Sequence, residues 1–164
     1  ISYLDYYLNL IILFIMYYFK HLIFVLYLYS WYSAFADESM VSYEIIDFEI
    51  PKPLTNQLGD PIKGKIIASS RKGNCLACHV IPEVDEMFHG TVGPSLKGVG
   101  SRYNINELRL RLVNPYILNP DSIMPAFYKV KGLEKVDKNF YGNPILNAQE
   151  IEDVISWLMT LKSE

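Results

Sequence analysis

The chain has 164 residues, 51% of them apolar and 14% aromatic, with 15 basic against 18 acidic side chains and a net charge of −3. That balance leaves no cationic excess to track a phosphate backbone, so no nucleic-acid partner is expected. The slightly positive mean hydropathy of +0.12 is concentrated at one end of the chain.

Residues 6 to 32 are almost continuously apolar and aromatic, interrupted only by Asn9, Ser30 and the pair Lys20-His21. Lys20 and His21 read as a short positive region, and Leu22 to Tyr32 as the apolar stretch of a secretory signal peptide. Ser33-Ala34-Phe35-Ala36 then supplies an A-x-A cleavage site followed by Asp37-Glu38. The chain opens on Ile1, and Met16 stands just ahead of Lys20. Met16 is therefore expected as the true start, with residues 1 to 15 as an upstream addition. The competing reading is an uncleaved membrane anchor, for which the run is long enough. Cleavage implies a periplasmic protein that meets a membrane only through its leader. It leaves about 128 residues, enough for one domain with a modest core.

Residues 37 to 58 are expected to form an extended arm ahead of a domain over 59–164. Residues 37 to 60 hold six acids against Lys52 alone, with Pro51 and Pro53 opposing a helix. Val41, Tyr43, Ile45, Ile46, Phe48 and Ile50 are too apolar for a solvated tail, so the arm should pack on this domain or on a partner, with burial against a partner subunit expected.

Asp60 as N-cap with Pro61 at the first helical position predicts a helix through about Ser70. Gly64 inside it costs about 1 kcal/mol relative to alanine. It therefore suggests close approach of another helix, with Trp157 as the expected bulky partner.

Cys75-Leu76-Ala77-Cys78-His79 is the Cys-x-x-Cys-His pattern of covalent haem attachment, and it uses both cysteines of the chain. Two thiols three apart fit the two vinyl groups of a haem, and the adjacent histidine is carried beneath the ring as an iron ligand. A thioredoxin-like pair would not require that histidine. A zinc site would need further ligands, and only His89 and the leader residue His21 remain among the histidines.

Gly90 to Gly100 carries four glycines and Pro94, a loop that can run close to a ring. Asn104 with Glu107 predicts a capped helix from Ile105 to Val113, stopped by Pro115. Met40, Met87, Met124, Met159 and His89 are the candidates for a sixth iron ligand. Met124 is favoured because Pro120 and Pro125 stiffen its loop and 45 residues separate it from His79, enough to cross to the opposite face. His89 is the runner-up, otherwise a surface loop histidine. Met159 belongs to the apolar face of a last helix, Ala148 to Lys162, opened by Asn147 with Glu150. Lys129, Lys131, Lys135 and Lys138 cluster between Met124 and that helix.

The Cys-x-x-Cys-His motif, Val92-Gly93-Pro94 after it and Met124-Pro125 before a terminal helix resemble class I cytochromes c. The runs Gly73 to Pro82, Phe88-His89-Gly90, Gly93 to Tyr103, Glu107-Leu108-Arg109, Asn119 to Ala126 and Leu146 to Val154 resemble more specifically the SoxX family. These are the monohaem subunits of the SoxAX cytochromes that oxidise thiosulfate. The likeness covers about residues 59 to 162 and leaves out the leader and arm. It implies an all-α class I cytochrome c fold wrapped around one covalent haem c, with an extended N-terminal arm. It further implies thioether bonds from Cys75 and Cys78, iron ligation by His79 and Met124, and Gly93, Pro94, Arg102 and Tyr103 around the haem. The carbonyl of Pro94 would accept the Nδ1 proton of His79.

The resemblance places the chain in the periplasm as the partner of SoxA. Thiosulfate is there joined to a cysteine of the SoxYZ carrier, with the chemistry on SoxA, and the electrons pass through SoxX to a soluble cytochrome c. No catalytic residue is expected on this chain, because haem attachment uses both its thiols. A free-standing electron carrier and a haem-based gas sensor are the other classes considered; the sensor would need an open sixth position.

Intact-mass measurement on protein secreted by a cell competent in haem attachment should give a chain beginning at Asp37. A mass that keeps Leu22 to Ala36 would replace the signal peptide with an anchor.

Overall fold

The computed structural model describes residues 3–32, 40–82, 84–134, 136–138 and 141–163. The expected cleavage site, Asp37 and Lys135 lie outside them. The described chain falls into two units, one ahead of Met40 and one from Met40 onward.

The first unit is one helix, α1 (Tyr3–Tyr32). Its 30 residues span about 45 Å at 1.5 Å each, more than the ~30 Å of a bilayer's hydrocarbon layer. The stretch Leu10–Tyr27 is fully unburied and apolar enough to cross a membrane, a property that signal sequences share.

The regular elements of the second unit are all helical, and among its described residues an isolated bridge between Ile46 and Glu49 is the only strand-like pairing. It contains α2 (Pro61–Ser69), α3 (Val99–Arg102), α4 (Ile105–Val113) and α5 (Ala148–Leu158), with single 3-10 turns at Cys75–Ala77 and Pro115–Ile117. The caps lie where the side chains predict them. Asp60 accepts from the amides of Ile62 and Lys63, and Asn104–Glu107 and Asn147–Glu150 both close full capping boxes. Orphan amides at the helix starts are thereby satisfied without water.

Helix α5 ends at Leu158, one turn short of the expected Lys162. The amides of Thr160 and Leu161 turn back to the carbonyls of Trp157 and Leu158, tightening the last turn. The tail then leaves the helix to clasp α3: Gly100 N–H donates to Leu161 O at 3.0 Å, and Lys162 Nζ to Gly100 O at 2.7 Å.

Helices α2 and α5 cross at backbone contact, and Gly64 makes that possible. A Cβ there would stand 2.0 Å from the carbonyl oxygen of Asp153 and 2.9 Å from Cβ of Trp157. The expected bulky partner is thus present, but a backbone carbonyl is nearer still. Trp157 itself is buried with Ile151, Val154 and Ile155 in the core, beside Leu110 and Leu146.

The end of the arm packs on its own domain, while Val41, Ile45, Ile46 and Phe48 stay exposed. Ile50 and Leu54 are fully enclosed in the core. Arg109, 1% exposed, makes a fork onto Glu152, with Nε–Oε1 at 2.7 Å and Nη2–Oε2 at 3.0 Å. Its remaining nitrogen donates to Ile50 O at 2.6 Å, while Glu152 Oε1 accepts from Leu54 N–H at 2.9 Å. One ion pair therefore ties the arm to α4 and α5 together.

Removing one member of such a pair leaves a buried charge without compensation, a loss of about 3–5 kcal/mol. Glu152→Gln should destabilise the domain by that amount in urea denaturation. The joint change Arg109→Met with Glu152→Leu should cost less than the sum of the two single changes. Strict additivity in that cycle would show that the pair is not a unit.

Candidate haem site

The turn Cys75–Ala77 follows α2 through a tight corner. Gly73 lies so close to α2 that a Cβ would meet Ile67 O at 2.4 Å, and Asn74 adopts a left-handed conformation (φ 49°) before Cys75. Asparagine tolerates that region better than most side chains. The loop 90–96 then runs beside the motif and bonds twice to it and once to Val80 just after it. Gly90 N–H donates to Leu76 O (2.8 Å), Gly93 N–H to Cys78 O (2.7 Å) and Leu96 N–H to Val80 O (2.9 Å).

His79 is held by this loop. Its Nδ1 stands 2.7 Å from the carbonyl oxygen of Pro94. A carbonyl only accepts, so Nδ1 carries the proton and Nε2 is left with its lone pair free for a metal. Gly93 lies against the imidazole so tightly that a Cβ would be 2.4 Å from Cε1. A side chain at 93 would have to displace the ring or the loop.

Cys75, Cys78, His79 and Met124 line one cavity of about 700 Å³. That size lies within the range of small-molecule and cofactor pockets. Of the five candidates for a sixth ligand, only Met124 lines it. Met87 is 88% exposed, Met40 and Met159 pack against the core, and His89 accepts the N–H of Ile81 at Nδ1 (3.0 Å). His89 is therefore a backbone clamp on the segment after His79 rather than a free loop histidine. The loop bearing Met124 is fastened at both ends. Asn119 caps the turn at Ser122 and Asp121, Ser122 Oγ accepts from Met124 N–H, and Phe127 N–H donates to Leu112 O of α4 at 3.0 Å.

Arg102 and Tyr103 also line the cavity. The Arg102 guanidinium donates to Ser95 O at 2.8 Å and to Lys97 O. Arg111, which the sequence reading passed over, joins them, its guanidinium carbon 3.9 Å from the centre of the Tyr103 ring. The signal was available: Leu108, Arg111, Leu112 and Pro115 recur at helical spacing, so a cation on that stripe had to face whatever the leucines face. All four line the cavity.

The donor set fits a covalent haem: two thiols, an imidazole and a thioether share an apolar cavity that two arginines also reach. It does not fit a redox dithiol. Burial pushes the Cys75 thiol up to about 11, with a smaller push from Cys78 against the pull of a backbone hydrogen bond. A reactive dithiol needs a lowered value. Nor does it fit zinc, since among the described residues no three His, Cys, Asp or Glu side chains gather as ligands.

The cytochrome c family model matches residues 63–162. A crystal structure of SoxXA from P. pantotrophus superposes with a TM-score of 0.69 and 38% identity, covering 74% of this chain and 95% of that one. Cytochrome c-550 of Bacillus subtilis is 36% identical over 55 residues. That match spans 34% of this chain and 42% of the relative's length.

Proposed function

The chain is a SoxX-type member of the cytochrome c family carrying one covalently bound haem c, and from that premise we propose that it is the electron-accepting subunit of a periplasmic SoxAX complex. The observation that carries this reading is the use of the sulfur ligands. Both thiols of the chain belong to the attachment motif, and both line the same cavity as His79 and Met124. No cysteine is left to hold a sulfur substrate, so the chain's part is to move electrons, and the sulfur chemistry falls to SoxA and the SoxYZ carrier. A soluble cytochrome c is the onward acceptor, and Lys129, Lys131 and Lys138 supply cations after the Met124 loop for an acidic redox partner.

Bound haem supplies reversible one-electron iron chemistry. The protein's part is positional. Cys75 and Cys78 would form the thioether bonds, and His79 would offer Nε2 to the iron while its Nδ1 keeps its proton and donates it to Pro94 O. Met124, which lines the same cavity, would offer its thioether as the second iron ligand. A thioether is a weak ligand that favours the reduced metal, so the fastened loop from Asn119 to Phe127 must hold it in place. Arg102, Arg111 and Tyr103, which line the cavity, would be the donors available to the haem's carboxylates.

A free-standing carrier is the second reading. It gains weight from the arm, whose Ile50 and Leu54 are buried by this chain alone and so require no partner. For localisation, α1 and the A-x-A sequence after it support export through a cleaved signal peptide.

Met124→Ala should leave the haem attached, open the sixth position to exogenous ligands and lower the potential. The near-infrared charge-transfer band of the oxidised protein, which reports methionine ligation, should vanish; its survival would remove Met124 from the iron. The partnership is tested by co-expression with SoxA, which should yield a stable one-to-one complex on gel filtration. Separate elution of the two haem proteins at micromolar concentration would favour the free-standing carrier.

A further inference from the structure

The residues Ile46-Asp47-Phe48-Glu49 close a two-residue turn, with Ile46 N–H and Glu49 N–H each donating to the other's carbonyl at 2.9 Å. Both central residues have positive φ, 49° at Asp47 and 61° at Phe48. Such turns favour Asn-Gly or Asp-Gly, because a bulky side chain enters the left-handed region only at a cost. Phe48 does not recover that cost by burial, since it is 65% exposed. Ile46 beside it and Ile45 and Val41 further along the arm are exposed as well. An unfavourable backbone that displays an aromatic ring to solvent has no account within the folded domain.

The base of the turn is rigid. On one side Glu49 accepts from the side-chain amides of Asn104 (2.8 Å) and Asn106 (3.2 Å), and Ile50 is locked into the core. On the other, Val41 N–H donates to the Tyr128 hydroxyl at 2.8 Å. Asn104 directly follows Tyr103, and Tyr128 lies four residues beyond Met124. The turn therefore stands on the same two segments that wall the haem cavity. Its charge has one sign: Glu44 and Asp47 are exposed, and no Lys or Arg occurs between Met40 and Pro51.

We propose that this turn is a docking knob, with Phe48 inserting into an apolar pocket rimmed by basic side chains on the haem-bearing partner subunit, SoxA. This rests on the reading of the chain as a SoxAX subunit. The knob's place explains its use: a partner gripping it is brought beside the cavity wall, where a short path for electrons is needed. A rigid exposed aromatic flanked by charge is the usual composition of an interface anchor. The acids around it select a cationic rim and disfavour an anionic membrane surface.

The test measures binding of the haem-loaded chain to purified SoxA by calorimetry at low and high ionic strength, with unfolding temperature and haem spectrum recorded for each variant. Phe48→Gly, which takes the positive φ without strain, should bind at least tenfold more weakly while its unfolding temperature holds or rises. Glu44→Lys with Asp47→Lys should weaken binding and remove most of its salt dependence. If the wild-type chain does not bind SoxA, the subunit reading falls and takes the knob with it. If the wild type binds and Phe48→Gly binds equally well, the knob alone is wrong. A fall in unfolding temperature that accompanies the loss of binding would assign Phe48 to packing and overturn the proposal. So would loss of binding to phosphatidylcholine vesicles in Phe48→Gly, which would make the turn a membrane contact.

Discussion

The buried fork between Arg109 and Glu152 is the constraint on which this domain depends. A guanidinium and a carboxylate taken out of water lose several kcal/mol of hydration each, and they recover it only if every remaining donor and acceptor is used. Here the third direction of the guanidinium goes to Ile50 O and the second valence of the carboxylate to Leu54 N–H. Both are backbone groups of the arm, so the arm supplies what the ion pair would otherwise lack. The pair in turn fixes α4 against α5. The stripe of α4 made by Leu108, Arg111 and Leu112 is thereby held toward the haem cavity.

A second regularity is the use of backbone carbonyls as packing surfaces. Gly59, Gly64 and Gly100 each lie against a carbonyl of α5 or its last turn, at distances a methyl group could not share. Carbonyls do not change rotamer, so these contacts define distances between elements more rigidly than side chains would. The same device recurs where chemistry requires precision: the carbonyl of Pro94 orients His79, and that of Cys78 receives the loop that carries Gly93. The imidazole's orientation is thus set by main chain on both sides.

What the sequence made legible was local. Helix starts are written within four residues, so Asp60, Asn104 and Asn147 could be placed from their neighbours alone. The Cys-x-x-Cys-His motif is likewise contiguous, and the prolines around Met124 announce a stiff loop. The features that escaped are joined across long separations. Arg109 and Glu152 are 43 residues apart, and Arg109 alone looks like any helical surface cation. The apolar arm could be recognised as unsuited to water, but its acceptor surface, Tyr128 with the Arg109–Glu152 pair, exists only after folding. The end of α5 is not legible locally, because Met159 to Lys162 keep a helical pattern while Leu161 and Lys162 are diverted to Gly100. Arg111 differs from these, since its spacing from Leu108, Leu112 and Pro115 already assigns it to the cavity face.

The crossing of α2 with α5 has a consequence for how the polypeptide is made. Asp60 N–H is bonded to Asp153 across 93 residues, and Leu54 N–H to Glu152 across 98. Nearly the whole domain is therefore a single loop whose two ends must meet, a topology of high contact order despite its helical content. Closing such a loop requires its conformational entropy to be surrendered before the contacts that compensate it are formed. No fragment that stops before α5 can complete the fold, because it lacks the partners of Asp60 and Leu54. Until α5 is in place the pentapeptide Cys75 to His79 thus rides within an unclosed chain with both thiols accessible, and α5 acts as the latch that ends this interval.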